Sequence, residues 1–326
     1  MTAGREASAE AFAAEGADFA DATILSFDKR TGQLGQRAIE GAPIEDGDLQ
    51  FWSVTTIIGA LDKPALMYWA AEQAALAAVH STSTWRGMLK DCDPGCEHRD
   101  ADSCPAIKWL RDARFRKPKG IRSATELGTM VHAACEQYAL SGTRPEVDPE
   151  VEPFLDAFDR DFLQRFSPVY QATEVAVYHP DLGYAGTLDA FLTIDGTRYI
   201  ADYKTTRKVV DSRGNPTSPY PEEVGLQLAA YRWAKHAAIW RPRRAEKMRR
   251  RYYLLSADER AVAVPVPEVD TGLVIHINPE RCEAYPIVCD ESVFEAYLAV
   301  QDAARWKFQT STTVMGLPLV AHNGGS

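Results

Sequence analysis

Two β-prone runs with charged residues set among apolar ones stand out along the chain. Gly186-Thr187-Leu188-Asp189-Ala190-Phe191-Leu192-Thr193-Ile194 is the first, and Thr197-Arg198-Tyr199-Ile200-Ala201-Asp202-Tyr203-Lys204 is the second. Asp195-Gly196 separates them, a signal for a two-residue hairpin turn. With that turn Ile194 pairs with Thr197, and counting back puts Asp189 opposite Asp202. Side chains alternate along a strand, so Lys204 shares the face of Asp202.

Longer periodicities predict helices around this hairpin. Pro64 starts one carrying Leu66, Trp69, Ala70, Gln73 and Ala77 toward Val79. Ser123-Ala124-Thr125-Glu126 fits a capping box. It opens a helix to about Leu140, with Leu127, Val131, Ala134 and Tyr138 on one stripe, and Ser141-Gly142 ends it. Further helices are expected over Pro149–Phe166, from Pro221 to about Ile239, and over Ser292–Phe308. Residues 171–178, Arg251–Leu255 and Gly272–Val288 read as strands, and His179–Gly183 as a turn. Thr23 to Phe51 suggests short strands and turns, followed by the β-branched run Ser53–Ile58. The chain shows no internal repeat. The expected fold is α+β (mixed α/β): a small central mixed sheet flanked by helices, with an N-terminal helical elaboration. A single domain over 21–310, with its core at about 124–290, should lie between a disordered tail at 1–20 and a flexible tail at 311–326.

Composition narrows the class. The 326 residues are 45% hydrophobic and 25% charged, ordinary values for a soluble globular protein. No apolar run is long enough for a membrane span. The first residues lack the basic start and apolar block of a secretory signal. Six cysteines without such a signal imply reduced thiols and a cytoplasmic setting. The net charge of −10 excludes a generally basic surface but not a local one. Basic residues cluster at Lys108, Arg111, Arg114, Arg116, Lys117, Lys119 and Arg122, and again at Arg241, Arg243, Arg244, Lys247, Arg249, Arg250 and Arg251. Each cluster is either a solvated face or a phosphate contact.

Opposed carboxylates about 5 Å apart repel each other unless a cation bridges them. Asp189 and Asp202 therefore read as hard oxygen ligands for Mg²⁺ or Mn²⁺. Glu174, on the preceding strand, can approach the same ion, and the backbone carbonyl of Tyr203 is a further donor. Lys204 would hold the attacking water or stabilise charge on phosphorus. The alternative is a surface hairpin carrying a Lys–Asp pair.

Gly186-Thr187-Leu188-Asp189 followed by Asp202-Tyr203-Lys204 resembles the core of the PD-(D/E)XK nuclease superfamily. Gly128-Thr129-Met130-Val131-His132 resembles the Gly-x-x-x-His motif of its RecB-type branch, and Gln227-Leu228-Ala229-Ala230-Tyr231 resembles the Gln-x-x-x-Tyr motif that follows the lysine there. The order His, Glu, Asp, Asp-x-Lys, Gln-x-x-x-Tyr agrees, over about residues 124–235. The flanks, including Val54-Thr55-Thr56-Ile57 and the Trp69 helix, are more weakly similar to phage-encoded exonucleases of that branch. The resemblance implies a restriction-endonuclease-like core, with His132, Glu174, Asp189 and Asp202 around the metal and Lys204 in catalysis. It implies that Gln227 and Tyr231 border the site and touch DNA.

The cysteines stand apart. CRISPR-associated and helicase-linked relatives carry an iron–sulfur cluster, with one cysteine before the nuclease motifs and three after. Here Cys92, Cys96, Cys104 and Cys135 precede them and Cys282 and Cys289 follow, a departure that argues against the cluster. Cys92-x3-Cys96-x-His98-x5-Cys104, in a polar insertion at 91–104, can hold Zn²⁺ as three thiolates and an imidazole. The alternative is a polar loop with incidental thiols.

Together these readings predict a metal-dependent DNA exonuclease acting on linear ends in recombination, repair or phage DNA processing. A non-catalytic DNA-binding scaffold of the same fold is one rival. An iron–sulfur nuclease working with a helicase partner is the other. No Gly-x4-Gly-Lys-Ser/Thr loop is present, so no nucleotide cofactor is expected.

Overall fold

Asp195 has φ 49° and Gly196 φ 81°, so both turn residues adopt the left-handed backbone of a primed turn. Such a turn matches the natural twist of the strands it joins. Ile194 pairs with Thr197, and the ladder runs back to Ala190 opposite Ala201. The counted register therefore holds.

The structure, a computed structural model, describes residues 49–62, 64–92, 96–99, 101–115, 123–211, 214–219, 221–238, 243–244, 252–255, 263–312 and 314. The expected tail at 1–20, nearly all of that at 311–326 and the strands expected before Leu49 lie outside them. So does most of each basic cluster.

The described residues form two compact units. Leu61–Ser123 is one; the residues on either side of it form the other. The insertion is thus larger than the expected 91–104, because three helices contact one another within it: α2 (Pro64–His80), α3 (Thr82–Lys90) and α4 (Pro105–Arg111).

The larger unit is built on a ten-stranded mixed sheet. Its strands are β1 (Leu49–Ser53), β2 (Val169–His179), β3 (Tyr184–Ile194), β4 (Thr197–Thr205), β5 (His236–Ala238), β6 (Arg243–Arg244), β7 (Tyr252–Leu255), β8 (Val264–Pro265), β9 (Thr271–Ile277) and β10 (Cys282–Ile287). The helices are α1 (Val54–Ile58), α5 (Ala124–Ser141), α6 (Glu152–Phe158), α7 (Pro221–Arg232) and α8 (Glu291–Phe308). The α+β class is as expected.

Two elements depart from expectation, and a third, which the sequence left unassigned, goes against its propensities. The β-branched run after Ser53 forms helix α1, because Val54, Ile57 and Ile58 are buried there; burial overrides weak helix propensity. The helix expected over Pro149–Phe166 is α6, then a π-helical turn (Asp159–Leu163) and a last turn (Gln164–Phe166). Phe154, Phe158 and Phe162 stay buried through it. Helix α7 stops at Arg232, short of Ile239. His236–Ala238 instead become β5 and pair with Ala176–Tyr178 on β2, which satisfies the backbone of that outer edge.

Alternation on β4 divides the two layers. Ala201 and Tyr203 join the core made with Leu127, Val131 and Cys135 of α5 and with Phe154, Leu155 and Phe158 of α6. Asp202 and Lys204 face the other way, toward α7.

One edge of β3 is shared by two partners. β4 takes it over Ala190–Ile194 and β1 takes it, in parallel, at Tyr184 and Ala185. Among the described residues, Gly186–Asp189 between them has no strand partner on that edge, while the opposite edge stays paired with β2. The sheet thus carries an internal gap.

Candidate active site

The gap is where the nominated side chains meet. Asp189 stands at its end, where the β3–β4 ladder stops. Its Oδ2 accepts a 2.6 Å hydrogen bond from the backbone N–H of Tyr203, replacing the lost ladder contact. A strand residue turns its N–H and C=O to the same edge, so the Tyr203 carbonyl also faces this gap. The Tyr203 ring is buried in the opposite layer, with its hydroxyl 2.8 Å from that of Tyr170.

Asp202 is 3% exposed. Its Oδ2 pairs with the ammonium of Lys204, and its Oδ1 accepts from Gln227 Nε2 at 3.0 Å. Gln227 also accepts from Lys204 Nζ at 3.2 Å and donates to the Tyr231 hydroxyl at 3.1 Å. One amide on α7 therefore fixes the rotamers of both charged groups on β4.

Tyr231 is itself buried, and its ring lies against Gly186. It anchors Gln227 from inside the fold and offers no surface for DNA, which corrects the expected DNA contact at that residue. Gln227 likewise spends its amide on Asp202, Lys204 and Tyr231.

His132 approaches from α5. Its Nδ1 lies 3.8 Å from Asp189 Oδ2, beyond a hydrogen bond, and its ring meets Tyr203 edge-on at 5.6 Å. Gly128, one turn earlier, lets the helix come close: a Cβ there would sit 3.0 Å from Thr205 Oγ1. Glu174 falls opposite Asp189 by the β2–β3 register, between the pairs Thr173–Ala190 and Val175–Leu188. Its φ is 50°, a left-handed backbone that costs a residue with a Cβ. The row Glu174, Asp189, Asp202 thus spans three neighbouring strands.

Electrostatics follow from this crowding. Burial, then the Asp202 carboxylate, push Asp189 up to about 8, against the pull of Lys204 and the Tyr203 N–H. Burial opposes the charge of Lys204, but Asp202 and Asp189 outweigh it and hold the ammonium above its ordinary value.

Two carboxylates escaped sequence reasoning. Glu136 adds to the field on Asp189 and accepts a 2.8 Å bond from Thr173. Glu223 adds to the field on Lys204. Each lies four residues from a nominated residue on its own helix, Glu136 after His132 and Glu223 before Gln227. Such spacing shares a helix face and is the signal that could have found them.

Asp189 and Asp202 suit a hard divalent cation: once ionised they offer only acceptor oxygens, and a cation would relieve the burial and the Asp202 charge that raise Asp189 to about 8. The row does not itself close around a point. Among the described residues, the group of three or more possible ligands with all ligand atoms within 4.8 Å is Cys92, Cys96, His98 and Cys104, in the smaller unit. There the backbone N–H groups of Ile107 and Ala106 and the side chains of His98 and Cys92 outweigh burial and bring Cys104 down to about 7. Burial, then the neighbouring thiols, push Cys92 up to about 11. Cys135, Cys282 and Cys289 are buried and apart from this cluster. Among the described residues, no helix is long and apolar enough to cross a membrane.

No family model and no curated protein matches the chain. Among solved structures, one titled "Crystal structure of SSO0001" is similar over 57% of this chain and 78% of that one. The identity is 15% and the TM-score 0.24, a likeness too slight to say anything of activity.

Proposed function

We propose that this protein is a divalent-metal-dependent deoxyribonuclease that hydrolyses phosphodiester bonds, working as an exonuclease on linear DNA. The observation that carries the reading is the gap in the β3 edge, where Asp189, Asp202, Lys204 and Gln227 converge. Asp189, Asp202 and the Tyr203 carbonyl would hold Mg²⁺ or Mn²⁺, with Glu174 and His132 beside them. When bound, the metal lowers the pKa of a coordinated water and neutralises charge on the phosphate.

The chain's own residues do the rest. Gln227 fixes the Lys204 ammonium against Asp202, where it would offer a donor to negative charge developing on the phosphoryl oxygens. The Asp202 carboxylate holds Lys204 charged at neutral pH. Tyr231 and Gly186 lock Gln227 in place, and the Tyr203 N–H orients Asp189. The resemblance implies products with a 5′-phosphate and a 3′-hydroxyl, and a role in recombination, repair or phage DNA processing.

The test is digestion of end-labelled linear and closed circular DNA, with and without Mg²⁺ or Mn²⁺. Linear DNA should be degraded only with metal, and Asp202→Ala and Lys204→Ala should abolish degradation while keeping the native fold. DNA binding without cleavage under every metal condition would replace this reading with a scaffold. Full activity in both variants would remove the gap from the chemistry.

A further inference from the structure

We propose that Cys92, Cys96, His98 and Cys104 bind one structural Zn²⁺ that organises the unit Leu61–Ser123. The site is independent of the carboxylate gap and of the nuclease reading.

Three of the separations between the ligand atoms match the edges of a zinc tetrahedron, and all lie within 4.8 Å. Bonds of about 2.3 Å to sulfur and about 2.0 Å to nitrogen, at tetrahedral angles, put two sulfurs about 3.8 Å apart and sulfur about 3.5 Å from nitrogen. Cys92 Sγ and Cys104 Sγ are 3.8 Å apart. His98 Nδ1 is 3.3 Å from both Cys96 Sγ and Cys104 Sγ. All four atoms lie within 4.8 Å of one another.

The backbone is shaped to the same end. His98 adopts φ 52°, a left-handed turn that brings its ring back to the sulfur of a residue only two positions earlier. Three thiolates and an imidazole are a closed, four-ligand set, the pattern of structural rather than catalytic zinc. An iron–sulfur cluster distributes its thiolates over several irons, and ligand atoms this close leave no room for one.

Little apolar surface is buried by the described side chains of the unit. Among its described residues, the buried apolar ones are Cys104, Ala106 and Ala113. Helix α3 buries none, and Met67 and Tyr68 of α2 are 63% and 77% exposed. A closed metal site would add folding energy to a unit of this size. The ion would tie the residues just after α3 to Cys104, the residue before α4.

The experiment uses the full chain purified without chelator. Elemental analysis should give one tightly held zinc per chain, with no acid-labile sulfide. Cobalt exchanged into the wild-type protein should show intense tetrahedral d–d bands and thiolate-to-cobalt charge transfer. Cys96→Ser and His98→Ala should lose the zinc and become sensitive to limited proteolysis within 61–123, as mapped by mass spectrometry. A wild-type chain without zinc, a cobalt spectrum lacking thiolate bands, or iron with labile sulfide would each overturn the proposal. So would zinc retained at full stoichiometry in both variants. The wild-type cobalt spectrum decides the matter even if a variant fails to fold.

Discussion

The ring of Tyr231 occupies the space that a side chain on Gly186 would need: a Cβ there would lie 2.4 Å from Tyr231 Cε1. The ring is buried and cannot swing aside, and its hydroxyl meets Gln227. Gly186→Ala should therefore push α7 and Gln227 away from Asp202. A loss of about 1–3 kcal/mol is expected from the overpacking, measured by urea unfolding, with slower cleavage at unchanged DNA affinity.

Gln227→Leu removes the amide while keeping much of its volume. Asp202 Oδ1, deeply buried, loses its donor. The expected cost is about 1–3 kcal/mol, read as a lower urea midpoint at unchanged slope. Tyr231→Phe, which removes a single hydroxyl, should cost less. Equal stability in Gln227→Leu and the parent would show that the amide does not secure Asp202.

Asp189 predicts a pH dependence with a definite sign. Its folded-state pKa is raised to about 8 from about 3.9 in the unfolded chain. The stabilisation from the protonated form is complete below about 4 and is lost as pH rises toward 8. In EDTA, this group should lower the unfolding temperature across that window. A cation that takes the ionised carboxylate reverses the loss, so stabilisation by Mg²⁺ or Mn²⁺ should be larger at pH 8.5 than at pH 6. Asp189→Asn should flatten both trends in a thermal-shift series.

Glu174 sits in a left-handed conformation that glycine adopts without strain. Glu174→Gly should relieve about 1 kcal/mol of backbone strain and hold or raise stability in EDTA. The same change should weaken Mn²⁺ binding, measured by calorimetry. Lower stability with unchanged metal affinity would remove Glu174 from the site.

The hairpin was legible because Asp195-Gly196 and the period of two together determine register. Asp189 and Asp202 could be placed opposite each other by counting alone. The role of Gln227 was not legible, since a polar residue on an amphipathic helix carries no mark of its partner. The burial of Tyr231 depends on Gly186, more than forty residues earlier in sequence, and no local pattern encodes that contact. Strand β5 was hidden because Ala-rich His236-Ala237-Ala238 suits a helix until the edge of β2 offers it backbone partners. The Cys92–Cys104 cluster was visible in its spacing, but the unit around it was not, since contacts among three separate helices leave no local pattern.

The divided edge of β3 sets the smallest piece of this protein that can work. Every motif that nominated the site lies between Gly128 and Tyr231, yet the far end of the seam is closed by Trp52 and Ser53, from well upstream. A fragment cut to the motifs would keep the nominated side chains and leave a bare strand edge beside them. Such an edge invites pairing with other chains, so trimming to the recognisable segment should yield aggregates rather than a well-folded core.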